Sequence, residues 1–519
     1  MKLVTVSQMK AIESQADASG LTYAHMMENA GRGLADIVQS IGELNGWEEI
    51  LGLVGPGNNG GDTLVALSHL ALGGWRARAY CVNRKTQNDG LVEMFVQAGG
   101  EIVVSESDQD FDSLAIFLET ADLLLDGLLG TGITLPLKPE IACVLFEAND
   151  LLSKLDEPPF ILAVDCPSGV DCDTGDAADE SLAADLTVTM AAVKQGLLRF
   201  PAFDLVGELE VADIGLPDDL PAWTQITRLV PDFEWVADHL PPRPSDAHKG
   251  TFGTAIIAAG SVSYTGAAYL SAKAAYRVGA GLVTLAIPEP LHAALAGQLP
   301  EVTWIPLPHK NGFIARDGAI AVAQNLSRAT ALLVGPGLGL EVTTKDFLAK
   351  LLEDNLPPLV ADADALKLLA QIPDWHKRLP ASTVLTPHPG EMSVLTGLSK
   401  EDIQKDREFV AEKYAKEWGH IVVLKGAFTV IAAPDGRVAV LPFASAALAR
   451  AGTGDVLAGI IVGLRAQGVD AFEAAVAGAW IHARAGLTSL GVVGSAASVL
   501  AGDVLDCVSD VMAELSDSL

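Results

Sequence analysis

The chain has 519 residues, of which half are apolar and 19% are charged; this is enough for two or more domains with large cores and argues against disorder. Lys and Arg total 34 against 66 Asp and Glu, a formal net charge of −32, which disfavours nucleic acid and anionic membranes as partners. The five cysteines include no C-x-x-C pair, so neither a disulfide framework nor a zinc site is expected. This cysteine usage fits a protein of the reducing cytosol.

The amino terminus, MKLVTVSQMKAIESQ, lacks the apolar run of a signal peptide. The uncharged stretch 250–272 is long enough to span a bilayer. Its Gly, Ser and Thr content is instead typical of a strand, a loop and a helix in succession. We therefore expect a cytoplasmic protein without a membrane span.

The first half alternates short β-branched apolar runs with helix-like segments, which is typical of a parallel α/β fold. Nearly all of these runs end in Gly, Asp or another small or polar residue, at the edge where open α/β sheets bind ligands. The predicted strands are EILGLVG (49–55), ARAYCV (77–82), LLLDG (123–127), FILAVDC (160–166) and LTVTM (186–190).

GPGNNGGDT (55–63) follows the first of these strands and precedes a helix-like segment. Glycines in such a turn allow backbone N–H groups to approach an anionic ligand. Gly55, Gly57 and Gly60 match the G-x-G-x-x-G spacing of a dinucleotide fingerprint, although glycine-rich turns also have purely structural uses. The two Asn residues and the following Asp add oxygens that could hold a cation or a ribose.

Two further strand ends carry carboxylates: Asp126 precedes a Gly-Thr-Gly loop, and Asp165 precedes Pro-Ser-Gly. Taken singly, each is as well explained as a turn or cap residue. Because parallel strands end at one edge of a sheet, the oxygens of Asn59, Asp126 and Ser168 together predict a site for a hard cation.

The first half resembles the NAD(P)H-hydrate epimerase domain over about residues 1–217, through TYAHMMENAGRGLADIV, GPGNNGGD, LDGLLGTGI, VDCPSGVD and TVTMAAVKQG. The resemblance implies a Rossmann-like fold that binds a hydrated nicotinamide nucleotide and potassium, with Asn59, Asp126 and Ser168 as the potassium ligands. It implies that Asp165 is a catalytic residue. For Lys194 it leaves two interpretations, a residue with an acid/base role or a surface lysine. Thr63 stands where the family has Gly. The implied substrate contacts are Asn58, Asn59, Gly60, Gly61, Asp62, Gly130, Thr131, Gly132, Ile133, Thr134, Leu135, Pro136 and Asp165.

Between the halves, 216–246 contains six prolines and little periodicity. Long loops without structure are uncommon inside compact domains, which favours a linker over an internal loop. We predict an amino-terminal domain at 1–217, a linker at 218–245 and a carboxy-terminal domain at 246–519.

The second half repeats the pattern of buried strands with polar ends. The predicted strands are TAIIAAG (254–260), GLVTLAIP (281–288), ALLVGPG (331–337), PLVADAD (358–364), STVLTPH (382–388) and HIVVLKG (420–426). In ARAGTGDVLAGI, Gly452, Thr453 and Gly454 precede an apolar helix, so their N–H groups and the positive helix end would form an anion hole. Asp455 at its mouth could take a proton from an attacking hydroxyl, or it could be a helix cap.

From 248 to the end the chain resembles the ADP- or ATP-dependent NAD(P)H-hydrate dehydratase of the ribokinase-like superfamily, through HKGTFGTAIIAAGS, YTGAAYLSAKAAYRVGAGLVTLA and GDVLAGIIVGLRAQG. The resemblance implies a three-layer α/β/α fold. It implies that Asp455 contacts substrate as the catalytic base and that Gly339 and His388 line the hydrated nicotinamide pocket. Two positions depart from the family: Lys367 replaces Asn, and FASAALARAG (443–452) lacks the usual Asn and Pro. The implied adenine nucleotide contacts are Lys425, Gly426, Ala427, Phe428, Thr429 and Gly454.

The two resemblances together predict a bifunctional repair enzyme for hydrated NADH and NADPH. The first domain would interconvert the R and S hydrates, and the second would dehydrate the S form with ADP and Mg²⁺, giving AMP and phosphate; a homo-oligomer is expected. One alternative is a ribokinase-like small-molecule kinase with an accessory nucleotide-binding domain, because fold alone does not fix chemistry. Another is a nucleotide sensor without catalysis.

Overall fold

The computed structural model describes residues 1–517 and divides into two compact units, 1–228 and 229–519. Helices and strands of the first unit are β1 (Leu3–Val4), α1 (Val6–Ser19), α2 (Tyr23–Asn45), β2 (Glu49–Val54), α3 (Asn58–Leu72), β3 (Arg76–Cys81), α4 (Gly90–Gln97), β4 (Glu101–Val104), α5 (Asp112–Thr120), β5 (Leu123–Gly127), α6 (Pro139–Leu152), β6 (Phe160–Val164), β7 (Leu186–Met190), β8 (Val193–Lys194), α7 (Phe203–Val206), β9 (Glu208–Ala212) and α8 (Pro221–Thr224).

Seven parallel strands form the central sheet of the first unit in the order β4-β3-β2-β5-β6-β7-β9. The direction of winding reverses between β2 and β5, so their carboxyl ends flank the crevice where doubly wound sheets bind ligands. Successive residues of β2 face different layers: Ile50 and Val54 pack with α2 and α3, while Leu51 and Leu53 pack with α5 and α6. This alternation produces the predicted three-layer Rossmann-like arrangement.

Helices and strands of the second unit follow in chain order. They are β10 (Arg228–Leu229, at the boundary), α9 (Phe233–Asp238), β11 (Thr254–Ala258), α10 (Thr265–Arg277), β12 (Leu282–Pro288), α11 (Glu289–Leu295), β13 (Thr303–Leu307), β14 (His309–Lys310), β15 (Phe313–Ile314), α12 (Gly318–Ala323), β16 (Ala331–Val334), α13 (Val342–Leu351), β17 (Leu359–Ala361), α14 (Asp364–Leu369), β18 (Val384–Leu385), α15 (Pro389–Thr396), α16 (Lys400–Lys405), α17 (Arg407–Trp418), β19 (Ile421–Leu424), β20 (Val430–Ala432), β21 (Val438–Val440), α18 (Thr453–Ala466), α19 (Ala471–Val493) and α20 (Ala501–Asp517).

The sheet of the second unit has ten strands in the order β10-β21-β20-β19-β18-β17-β16-β11-β12-β13. The run from β19 through β16 and β11 to β13 is parallel, whereas β19, β20 and β21 pair antiparallel. Helices α10, α18, α19 and α20 cover one face with a large apolar cluster. The α/β class predicted from sequence is confirmed, as are all eleven predicted strands.

The segment predicted as a linker, 218–245, is not an extended connection. Leu220 and Trp223 pack against the core of the first unit, while Val236 and Leu240 pack against the core of the second. The apolar residues between the prolines account for this difference, because each short helix or strand in the segment buries them. Within residues 1–517 there is also no helix with the length and apolarity required to cross a bilayer.

Candidate active sites

The first unit contains a cavity of about 620 Å³ at the carboxyl ends of β2, β5 and β6. Helices α1 and α2 also line it, through apolar side chains such as Met9 and Met26. Predicted substrate contacts that line this cavity are Asn58, Asn59, Asp62, Gly130, Thr131, Gly132, Ile133 and Asp165. Gly60, Gly61, Thr134, Leu135 and Pro136, also predicted, are not among its lining residues within the described chain.

Asp165 and Lys194 form an ion pair at the base of this cavity. Lys194 Nζ lies 2.5 Å from Asp165 Oδ1, and it also donates to Thr189 Oγ1 at 3.0 Å and to the Met190 carbonyl at 2.8 Å. Asp165 Oδ1 also accepts a hydrogen bond from Met190 N at 3.0 Å. The backbone of Asp165 has a φ of +66°. Lys194 is 1% exposed, so it is not a surface lysine. The pair therefore places a carboxylate with a fixed countercharge in the cavity.

Asp62 is a second carboxyl at this site with a different electrostatic setting. Burial raises its pKa well above the ordinary 3.8, and the nearby charges of Asp165 and Glu13 raise it further against the opposing effect of Lys194. Both effects favour the protonated form of this carboxyl. The cavity thus combines Asp62, whose protonated form is favoured, with the ion-paired carboxylate Asp165, which is the division that acid–base chemistry requires.

The three predicted cation ligands lie together below the loop after β5. Ser168 donates from N at 2.7 Å and from Oγ at 2.5 Å to the buried Asp126 carboxylate. Asn59 Nδ2 donates to the Leu129 carbonyl at 2.8 Å, whereas its buried Oδ1 has no hydrogen-bond partner among residues 1–517. Burial raises the pKa of Asp126, which Ser168 counteracts. A buried carboxylate together with an amide oxygen that lacks a partner is an environment that a cation would stabilise.

Thr63, the departure in the glycine-rich loop, neither crowds that loop nor caps the helix. It lies in the first turns of α3, where its Oγ1 donates to the Asn59 carbonyl at 2.8 Å. The same oxygen fills the space beside Gly127, 1.9 Å from where a Cβ on that glycine would lie. The hydroxyl therefore packs against β5 and steadies the turn that carries Asn59.

The glycines of the loop have structural as well as binding roles. A Cβ on Gly55 would lie 1.8 Å from the Leu128 carbonyl, and one on Gly60 would lie 2.1 Å from the Gly55 carbonyl, whereas Gly57 has open space and lines the cavity. Arg84, which the sequence did not single out, holds the loop from outside. It donates to the Gly55 carbonyl at 3.0 Å and pairs with Asp89 at 2.8 Å.

In the second unit, the GTGD segment forms the start of α18 as predicted. Gly452 is the N-cap with φ of +95°, and Asp455 lies in the first turn. N–H groups of a first helical turn have no intrahelical acceptor and carry the positive end of the dipole. Lys425 Nζ lies 3.5 Å from where a Cβ on Gly454 would be. An ammonium group thus stands beside these N–H groups, which together suit a phosphoryl group.

Asp455 is partly exposed and surrounded by other acids. Burial raises its pKa from 3.8 to about 7, with further contributions from Asp362, Asp364 and Glu391 against the opposing effect of Lys425. Lys425 pairs with Asp362 Oδ1 at 2.7 Å and lies 3.8 Å from Glu391 Oε2. Because its pKa is near neutrality, Asp455 can accept and release a proton at physiological pH.

His388 and Gly339 are linked to this acidic group by side chains rather than by sequence proximity. Gly339 N donates to Asp364 Oδ2 at 2.9 Å. The His388 ring accepts from Gly390 N at 2.9 Å, and its Nε2 lies 3.3 Å from Glu391 Oε1. His388 is half exposed, and burial lowers its pKa, so it is both a cap of α15 and a neutral imidazole at the site. Lys367, which stands where the family has Asn, places its Nζ 3.2 Å from Asp364 Oδ1.

The predicted nucleotide contacts Lys425–Thr429 form the loop after β19. Thr429 Oγ1 donates to the Gly426 carbonyl at 2.8 Å and closes the loop. Beneath it lies Arg407, whose Nη2 donates to the Leu424 carbonyl at 2.8 Å and whose Nη1 lies 2.7 Å from where a Cβ on Gly426 would be. Gly426 is therefore the residue that admits this guanidinium. Ala427 and Phe428 complete the loop, Phe428 with φ of +51°.

Two family models match the chain. One is described as NAD(P)H-hydrate dehydratase and matches residues 255–504, and the other is described as YjeF-related protein N-terminus and matches residues 23–196. The two matches fall in separate structural units, and each contains the glycine-rich strand ends described above. Helix α1 lies outside both matched ranges.

Relatives of the chain are similar over its whole length. A bifunctional NAD(P)H-hydrate repair enzyme of Moorella thermoacetica is 36% identical, covering 100% of this chain and 98% of the relative. The protein of the same name from Escherichia coli is 34% identical, covering 91% and 86%. Among solved structures, an ADP/ATP-dependent NAD(P)H-hydrate dehydratase of Bacillus subtilis, co-crystallised with ATP/Mg²⁺, is 31% identical with a TM-score of 0.48, covering 55% of this chain and 97% of that one.

Proposed function

The chain belongs to the family of bifunctional NAD(P)H-hydrate repair enzymes, and from this premise we propose which of its residues carry each reaction. Its two activities are NAD(P)H-hydrate epimerase and ADP/ATP-dependent NAD(P)H-hydrate dehydratase. The observation that carries the assignment of residues is that each unit holds titratable carboxyls beside glycine-rich turns, at a strand end or in the first turns of the following helix. Asp165 and Asp62 serve the first unit, and Asp455 serves the second.

In the first unit, epimerisation requires a bond to the hydroxyl-bearing ring carbon to break and re-form. The ionised Asp165 takes the proton of the hydroxyl while the carbon–nitrogen bond opens, and the protonated Asp62 gives its proton to the ring nitrogen. The products of this step are an aldehyde and an amine, so atoms and charge balance. Closure on the other face of the aldehyde produces the second epimer. Lys194 keeps Asp165 in place throughout.

In the second unit, the hydroxyl of the S hydrate is a poor leaving group. Asp455 removes its proton while the terminal phosphoryl group of ADP is transferred to the oxygen, with AMP as the leaving group. Phosphate then departs as the ring loses a proton, which restores NAD(P)H. The first-turn N–H groups of α18 and Lys425 hold the transferring phosphoryl group, and the loop Lys425–Thr429 with Gly454 holds the nucleotide. His388 and Gly339 position the hydrated ring.

Potassium in the first unit is part of the same proposal. Asn59 Oδ1, Asp126 and Ser168 suit a monovalent cation, because the buried Asp126 carboxylate and the unused Asn59 amide oxygen are both connected to Leu129, one through Ser168 Oγ and the other through Asn59 Nδ2. When bound, the ion would offset the charge of Asp126 and order the glycine-rich loop. Within residues 1–517 there is no group of three or more His, Cys, Asp or Glu side chains that could hold a metal ion. The proposed potassium site is not such a group, because two of its three ligands are Asn59 and Ser168.

Magnesium in the second unit would enter with the nucleotide. Asp362 and Asp364 both raise the pKa of Asp455, and Mg²⁺ bound in this way would be held chiefly by phosphate oxygens with one or two carboxylates. When bound, the ion would neutralise phosphate charge. The homo-oligomer, the cytosolic location and the use of ADP stay predictions.

One assay tests both activities. Racemic hydrated NADH is incubated with the full chain and ADP or ATP, and phosphate and NADH absorbance are followed together. Full conversion of both epimers with one phosphate per NADH is the expected result. Conversion that stops near half would contradict the epimerase assignment. A phosphorylated product without NADH would indicate the small-molecule kinase instead.

A further inference from the structure

Helix α1, which lies outside the residues matched by the two family models, contributes a charged side chain to the epimerase cavity. Val6, Met9, Lys10 and Glu13 line this cavity, and their spacing places them on one face of the helix. The helix is held in place at its start: Val6 N donates to Asp173 Oδ1 at 2.9 Å, and β1 pairs with β8 so that Val4 lies opposite Lys194. Glu13 therefore faces the reacting groups from a well-anchored element.

Glu13 is electrostatically part of the same group of charges. Burial raises its pKa, Asp165 raises it further, and Lys194 and Lys10 oppose both effects. In turn, Glu13 contributes to the raised pKa of Asp62. A carboxyl at a cavity-facing helix position costs folding energy that an apolar residue like Met9 would not. Glu13 is the next cavity-facing side chain after Met9 and Lys10. A role in the reaction would explain why a carboxyl rather than an apolar side chain lies there.

The chemistry of epimerisation supplies a task for such a group. The hydroxyls of the R and S hydrates project from opposite faces of the ring, so one fixed carboxylate is not placed to exchange a proton with both. Asp165 comes from the end of β6 and Glu13 comes from α1, which are separate elements around the cavity. We propose that Glu13 is a further catalytic residue, which exchanges the hydroxyl proton of one epimer while Asp165 exchanges that of the other.

The proton balance follows directly from this assignment. Opening of one epimer gives its hydroxyl proton to Asp165 and transfers the Asp62 proton to the ring nitrogen. Closure to the other epimer returns the nitrogen proton to Asp62 and takes the hydroxyl proton from Glu13. Asp165 has then gained one proton and Glu13 has lost one, and exchange with water resets both. This inference rests on the proposed epimerase function and adds a second group to it.

The test uses the full chain with racemic hydrated NADH, ADP and Mg²⁺. The S form is consumed in a fast phase, and the R form follows in a slow phase limited by epimerisation; the background rate is measured with heat-inactivated protein. Glu13→Gln is expected to slow the second phase by about 100-fold or more, the range for loss of an acid–base group. The first phase should be unchanged. The control is Glu43→Gln, which should leave both phases unchanged. It replaces an exposed carboxyl of α2 that accepts a hydrogen bond from Gln39 Nε2.

A pH profile separates catalysis from positioning. The second phase of the wild type should show one ionisation that Glu13→Gln lacks, with Lys10, Tyr23, Asp62, Asp165 and Lys194 as the other titratable groups at the cavity. Glu13→Asp should recover part of the rate. A wild-type second phase in Glu13→Gln, or a slowed phase with an unaltered pH profile, overturns the inference. A wild-type second phase in Asp165→Asn would instead overturn the proposed epimerase function.

Discussion

Asp455→Asn should stabilise the second unit while it abolishes dehydration. The carboxylate has its pKa raised from 3.8 to about 7, so its ionised form is less stable in the folded than in the unfolded chain. The wild type therefore loses stability as pH rises from about 4 to about 7, and the amide does not. A shift of about 3 pKa units at 1.36 kcal/mol each gives roughly 4 kcal/mol as an upper bound. Water reaches this partly exposed group, so we expect about 2 kcal/mol above pH 7.

The assay is thermal or denaturant unfolding of the full chain at pH 4, 6 and 8, followed with the dehydration rate. At pH 8 the variant should melt a few degrees higher than the wild type, and the difference should vanish near pH 4, where both forms are neutral. Asp354→Asn, at an exposed site of the same unit, should change neither quantity. A variant that is less stable at pH 8, or a gain of equal size at every pH, would refute this account of the site.

Three other changes test separate parts of the sites. Gly426→Ala should raise the KM for ADP about tenfold or more with a smaller change in kcat, because Arg407 occupies the space where the methyl group would lie; initial rates at varied ADP measure this. Lys194→Met should slow epimerisation about 100-fold without affecting dehydration of the S form, since Asp165 loses its countercharge. The kcat/KM for dehydration should rise with pH and level off above about 7 as Asp455 of the free enzyme loses its proton; a flat profile from pH 5 to 8 would contradict its role as base.

The strand ends of both units could be predicted from sequence because their signals are local. Each buried parallel strand is a short apolar run. Asp126, near the end of β5, and Asp455, in the first turn of α18, are each adjacent in sequence to a glycine of the neighbouring turn. Parallel pairing then brings these ends to one edge, where most of the predicted substrate contacts of the first unit line the cavity at the ends of β2, β5 and β6.

Partners that lie far apart in sequence could not be predicted this way. The burial of Lys194 depends on Asp165, 29 residues earlier, and a lysine after a short strand has the same local pattern whether it is exposed or paired. Glu13 follows the buried Met9 by one helical turn of α1, and a carboxyl at that spacing has the same local pattern whether it faces solvent or a cavity. The segment 218–245 was predicted as a linker from its prolines, although Leu220 and Val236 bury themselves in the two cores.

The two sites both use a carboxyl near the start of a helix that follows a glycine-rich turn, with opposite proton requirements. The first needs Asp62 in its protonated form, which its raised pKa favours. The second needs Asp455 ionised, and its pKa of about 7 makes that condition sensitive to small changes in acidity. Acidification below neutrality therefore weakens dehydration, because it protonates Asp455, while it keeps Asp62 in the protonated form that the epimerase requires.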